Sequence, residues 1–166
     1  MKNLFLFLFT AILSATSYGN SLSEDFEKLK SLEGKWQGIL ERTDGTSDNL
    51  VLNYSVTSNG SALLEESDTG GIEMLTIFNY QNSELLLTHY CGLQNKPVSV
   101  LKSNSDGEYV FITDSERSGL SKEKEAFVTS WKIDLMPEDS NKIQYQYTVT
   151  GPEGVVFVAK AVLTKA

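Results

Sequence analysis

A single cysteine, Cys91, and a single histidine, His89, occur in the chain. One thiol excludes an intramolecular disulfide, so stability has to come from the core. In an oxidising compartment such a thiol is buried, reactive or paired with another chain. Basic residues are also scarce. Fourteen Lys and Arg against 22 Asp and Glu give a formal net charge of −8. A chain of that sign repels phosphate backbones, which disfavours sequence-independent nucleic-acid binding. There are only three prolines, and no repeat or low-complexity tract interrupts the sequence. No linker is visible either, so one domain is expected. Glycine-rich phosphate loops and nucleophile elbows are absent, which leaves no ready-made nucleotide or hydrolase site.

The one long apolar run lies at the start. Lys2, the run Leu4 to Leu13 and the small residues Ser14-Ala15-Thr16-Ser17-Tyr18-Gly19 follow the order of a secretory signal peptide. Residues 1–19 are therefore expected to be a signal peptide and residues 20–166 a single mature domain, with cleavage after Gly19 preferred to Ser17. Periplasmic or secreted localisation follows. The run is shorter than the about 20 apolar residues of a membrane span. No cysteine follows it to carry a lipid, so no integral membrane association is expected. Loss of Lys2 takes the charge to −9. The remaining chain, about 147 residues, is long enough to bury about 70% of its unfolded surface.

Ser21-Leu22-Ser23-Glu24 fits a capping box. Leu22, Phe26 and Leu29 form an i, i+4, i+7 apolar stripe, so a short amphipathic helix should open the domain and stop with Gly34 as its C′ residue. Beyond Gly34 the hydrophobic period is two. Leu50, Leu52, Tyr54 and Val56 alternate with polar or smaller neighbours, as do Phe127 to Leu135 and Ile143 to Val149. This is the pattern of half-buried strands. Turn residues separate the runs: Asn59-Gly60, Gly70-Gly71, Gln81-Asn82-Ser83, Asp106-Gly107 and Gly151 to Gly154. Ten strands are expected, at 35–42, 49–57, 62–67, 72–80, 84–91, 98–104, 108–113, 125–136, 142–150 and 155–164. The polar link Asp114 to Lys124 is expected to be a flexible loop. Ten hairpin-joined strands have two open edges unless the sheet closes. The expected class is therefore all-β, an antiparallel ten-stranded barrel with a short N-terminal helix; a two-sheet sandwich is the alternative.

Two stretches carry a resemblance. Leu32-Glu33-Gly34-Lys35-Trp36-Gln37-Gly38 joins the helix to the first strand. Its Gly-x-Trp resembles the opening of calycin barrels, the group that contains lipocalins, fatty-acid-binding proteins and nitrobindin-like haem proteins. The resemblance implies a calycin-like barrel with structural roles for Gly34 and Trp36, the indole closing the barrel end under the helix. Thr88-His89-Tyr90-Cys91 followed by Asn95-Lys96-Pro97 resembles a family of small exported bacterial proteins, lipocalin-like in fold, with a Thr-His-Tyr-Cys…Asn-x-Pro signature. That family lends a fold and no catalytic residues. The chain departs from both groups: lipocalin disulfides are missing. Nitrobindin-like proteins use a histidine late in the chain, whereas His89 falls in mid-barrel. No cofactor is expected.

His89 and Cys91 lie two apart on a strand and share a face with Leu85 and Leu87. If the leucines point inward, so do the imidazole and the thiol. Such a pair could bind a ligand, chelate a soft metal or act as base and nucleophile. The plainer alternative is a hydrogen-bonded core histidine and an inert thiol. Same-face neighbours stand about 7 Å apart at Cα, long for direct contact. Zinc needs three or four ligands, and only Glu65 offers a third, so no metal site is expected. An inward Glu65 needs a partner such as Lys102 or His89. Trp131, Tyr145 and Tyr147, with Trp36, either line a cavity or fill the core. Pro97 ends a rigid turn and holds Lys96 extended.

Three functions fit these residues. The first is an exported soluble binder of a small, largely apolar molecule, with His89, Cys91, Glu65, Trp131 and Tyr147 as candidate ligand contacts. The second is a small enzyme using His89 with Cys91 or Glu65. The third is an interaction module without a pocket. An interior cavity of about 300 Å³ or more would favour the first two. The sequence assigns no catalytic residue and no oligomeric state.

Overall fold

Hairpins with two-residue turns set the architecture, and the chain closes them into a ring. The computed structural model describes residues 22–166. The expected signal peptide, its cleavage site and the Ser21 end of the capping box lie outside the described residues. Helix α1 (Leu22–Leu29) runs on into a 3₁₀ turn, Lys30–Leu32. Ten strands follow: β1 (Gly34–Arg42), β2 (Ser47–Thr57), β3 (Ala62–Thr69), β4 (Ile72–Gln81), β5 (Glu84–Tyr90), β6 (Val98–Ser105), β7 (Glu108–Thr113), β8 (Phe127–Asp134), β9 (Lys142–Gly151) and β10 (Gly154–Lys165). Each strand pairs antiparallel with its sequence neighbours, and β10 returns to β1, so the sheet is a closed barrel. The sandwich alternative is thereby set aside.

The turn chemistry explains the register. Gly70 and Gly71 both take positive φ, as do Asn82 and Ser83, the geometry that matches the twist of two-residue hairpins. The β3–β4 and β4–β5 pairings are therefore symmetric about those turns. Inward positions alternate with outward ones except at bulges in β6, β8 and β10, and the inward set supplies the core.

Helix α1 covers the end that carries the β2–β3, β4–β5, β6–β7 and β8–β9 turns. Phe26, Leu29 and Leu32 are buried there, and Asp25 accepts a 2.6 Å hydrogen bond from Asn104. Trp36 lies under this lid and is buried. Its Nε1 donates to the Leu32 carbonyl at 2.6 Å, and the Lys165 ammonium sits 5.2 Å from its ring centroid. Gly34 takes the expected C′ position, one turn later than the end of the α-helix itself. The α-helix stops at Leu29, the 3₁₀ turn follows with Glu33 as its cap, and Gly34 opens β1 at φ +120°. The cap amide of Glu33 donates to the Lys30 carbonyl at 3.0 Å, and the indole takes the Leu32 carbonyl.

The link expected to be flexible is built. Residues Ser115–Ser118 form a helical turn, α2, whose N-cap Asp114 accepts from the Arg117 amide at 3.0 Å. Arg117 makes a two-pronged ion pair with Glu84 at 2.8 and 3.1 Å, and the Val98 amide donates to the Ser118 hydroxyl at 2.8 Å. The polar residues that suggested a loop in solvent are the ones that fasten it to the wall.

Candidate functional site

The barrel interior has two halves. Beneath the helix it is filled by Leu52, Leu63, Phe78, Leu85, Leu87 and Phe111, all buried, with Phe78 and Phe111 edge-on at 5.8 Å. Toward the other end a cavity of about 170 Å³ remains, lined among others by His89, Cys91, Trp131, Tyr145, Tyr147 and Phe157. It leads outward past Ile72 and Leu93, apolar residues that are 57% and 49% exposed. A larger groove of about 810 Å³ lies over the outer wall between Lys35, Glu66, Asp68 and Glu73, open to solvent and without His89 in its lining.

Below the cavity runs a polar row set by register. Tyr54 on β2 pairs with Glu65 on β3, Glu65 with Thr76 on β4, and Thr76 with His89 on β5. Because cross-strand partners share a face, all four point inward. Glu65 is fully buried and His89 is 2% exposed. Glu65 accepts hydrogen bonds from Tyr54 at 2.5 Å, Thr76 at 2.8 Å and, across the barrel, Tyr145 at 3.1 Å. Thr76 Oγ1 also lies 2.9 Å from His89 Nδ1. Burial pushes the Glu65 carboxyl above its usual value, and the three hydroxyls pull it back. Burial alone brings His89 down to about 4. Tyr54 and Tyr145 are held well above the ordinary phenol range, by burial first and by the neighbouring Glu65 charge next.

Of the candidates, His89, Cys91, Trp131 and Tyr147 do meet at the cavity. Trp131 stands edge-to-face on His89 at 4.9 Å and tilted on Tyr147 at 5.2 Å. Glu65 reaches it only through Thr76 and Tyr145, and Lys102 is exposed on the outer wall and no partner of Glu65. Among the described residues Cys91 and His89 share no hydrogen bond. Burial raises the Cys91 thiol, so it stays protonated at neutral pH and is a poor nucleophile. Pro97 is buried, and its carbonyl accepts from the His89 amide at 3.0 Å, which extends the β5–β6 seam by one bond. Asn95 ties the same loop to the Ala126 carbonyl at 3.0 Å. Among the described residues no group of three or more His, Cys, Asp or Glu could hold a metal. Sequence reasoning missed Thr76 and Arg42. Arg42 lines the cavity, ion-paired to Asp48 at 2.7 Å and stacked 5.6 Å from the Phe157 ring.

No family model matches the chain, and no curated protein does. Among solved structures it is similar to a protein of unknown function from the DUF3598 family of Nostoc punctiforme, at a TM-score of 0.60 and 13% identity. The likeness covers 83% of this chain and 49% of that one, so the chain spans about half of its neighbour. It is a likeness of fold. No helix among the described residues is long and apolar enough to cross a membrane.

Proposed function

We propose that this is an exported, calycin-like binding protein for a small and largely apolar molecule held inside the barrel. The observation that carries the reading is the cavity walled by Trp131, Tyr145, Tyr147, Val149 and Phe157, with His89 at its inner edge; at about 170 Å³ it is smaller than the about 300 Å³ expected of an ordinary ligand pocket, so only a ligand below that class fits. Its size narrows the ligand. An apolar cavity of about 150 Å³ accommodates a benzene ring, whereas drug-sized pockets begin at about 300 Å³. One-ring compounds fit this class; long-chain fatty acids and haem exceed it. Periplasmic or secreted localisation rests on the N-terminal pattern of Lys2, the apolar run and small residues. The enzyme reading has less behind it, because the thiol is protonated and the Glu65 carboxylate is walled off by three hydroxyls.

A ligand that binds only the folded state stabilises it by mass action, by about 2.7 kcal/mol at a concentration 100 times its Kd. Benzene-sized compounds are therefore expected to raise the melting temperature and perturb the emission of Trp131. Glycerol and sugars of similar size are expected to do neither. An unchanged melting temperature across one-ring compounds at their solubility limits would remove the binding reading and leave the interaction module.

A further inference from the structure

We infer that Glu65, acting through Thr76, holds His89 with its proton on Nδ1 and a lone pair on Nε2, and that the ligand is a compact ring bearing a hydroxyl that donates to Nε2. The inference rests on the binding reading above and names its ligand class.

Glu65 faces three hydroxyls and no cation. With Glu65 ionised, the form its three hydroxyl partners favour against burial, the carboxylate is only an acceptor, so each of the three hydroxyls spends its single proton on it. Thr76 then has none left for His89. The 2.9 Å contact between Thr76 Oγ1 and Nδ1 requires a proton, and only the imidazole can supply it. In a neutral ring with hydrogen on Nδ1, Nε2 is an acceptor. The low pKa of His89, about 4, keeps the ring neutral at pH 7.

Nε2 makes no hydrogen bond among the described residues, while His89 lines the cavity. Nε2 is not among the buried polar atoms that lack a partner, so it opens to the cavity, whose remaining wall is mainly aromatic and aliphatic. A ligand seated there covers Nε2, and a covered acceptor without a donor costs about 1–3 kcal/mol, so a ligand that brings a donor is favoured. Trp131, in the same wall, has an indole N–H without an acceptor among the described residues. A hydroxyl brings a lone pair as well as a proton, which places phenols ahead of indoles. Glu65 and Thr76 are thus positioning residues: neither is the ligand contact, and together they fix which way the contact is polarised.

His89 is the only histidine, so nitrogen-15 NMR of histidine-labelled protein reads one ring without assignment. The free protein is expected to show the proton on Nδ1. Thr76→Val should move it to Nε2, and Thr76→Ser should leave it on Nδ1. A ring protonated on Nε2 in the wild type would overturn the tautomer assignment whatever the ligand. The ligand class is read separately with phenol and toluene, which have the same number of heavy atoms. Phenol is the better hydrated, so a purely apolar cavity prefers toluene. The wild type is expected to bind phenol at least as tightly as toluene, and phenol alone should shift the Nε2 resonance. Thr76→Val should swing the ratio toward toluene by about tenfold or more, the scale of a buried hydrogen bond. Toluene binding more tightly, with Nε2 unmoved by phenol, would sink the hydroxyl ligand and leave the binding reading standing. If neither compound binds, the binding reading and its ligand class fall together. The wild-type measurements need no variant, so a poorly folding Thr76→Val does not protect the inference.

Discussion

Glu65 is a fully buried carboxyl with three hydroxyl donors around it. Taking an ionisable carboxyl out of water is unfavourable unless hydrogen bonds replace the lost hydration. Tyr54, Thr76 and Tyr145 replace it. His89 is treated differently: burial without a charged partner lowers its pKa from 6.5 to about 4, so folding requires the neutral ring. A group whose folded value lies below its unfolded value binds fewer protons when folded. Its stability contribution is then complete above about pH 6.5 and is lost as the pH falls toward 4, up to about 3 kcal/mol in all. Glu65, raised on folding, has the opposite slope: it favours the native state at low pH and ceases to as the pH rises through its folded value. Comparing the wild type with His89→Gln cancels the Glu65 slope. The stability difference between them should move in favour of the wild type between pH 4 and 6.5 in urea titrations. A flat difference over that window would mean that His89 is charged or solvated in the fold.

At the scale of elements, much of this was open to a reader of the sequence. Period-two alternation and the turn residues place all ten strands within two residues of their observed ends. The polar row was legible too. Glu65 and Thr76 are equidistant from the Gly70-Gly71 turn, and Thr76 and His89 from Asn82-Ser83, so two-residue turns alone align Glu65, Thr76 and His89. What alternation hid was Thr76 as a partner, because a threonine between Leu75 and Ile77 looks like an ordinary strand residue. The bulges between Val128 and Ser130 and between Val155 and Phe157 leave no period-two signal. The first buries both Phe127 and Val128, and the second accompanies Phe157 packing on Tyr147 at 6.1 Å. The closing seam depends on a similarly quiet residue. A Cβ at Gly38 would come within 2.6 Å of the Val162 carbonyl and 2.9 Å of Leu163, so glycine lets β1 and β10 approach. The N-terminal segment is a separate element with its own test. Protein recovered from its native host is expected to lack residues 1–19 by mass spectrometry, and an abundant form beginning at Met1 would contradict export.

The whole molecule is a barrel filled at one end and hollow at the other. The lid of α1, the Trp36 indole and the Phe78–Phe111 contact occupy the first half. The acidic surface and the lack of a disulfide set no part of this; it follows from which inward positions carry large side chains. On β9 the inward Val149, which lines the cavity, is small, and the barrel wall does not collapse around it because its hydrogen bonds fix the diameter. The space that remains is where the chain keeps its only histidine, its only cysteine and one of its two tryptophans. The central claim is that this space receives a ligand. Crystals grown with 4-bromophenol put it to the test, since bromine reports its own position by anomalous scattering. The account predicts one bromine site inside the barrel, bounded by Trp131, Tyr147 and Phe157, with the phenol oxygen within hydrogen-bond distance of His89 Nε2. Bromine found only on the outer surface, with the cavity filled by repacked side chains, would contradict it.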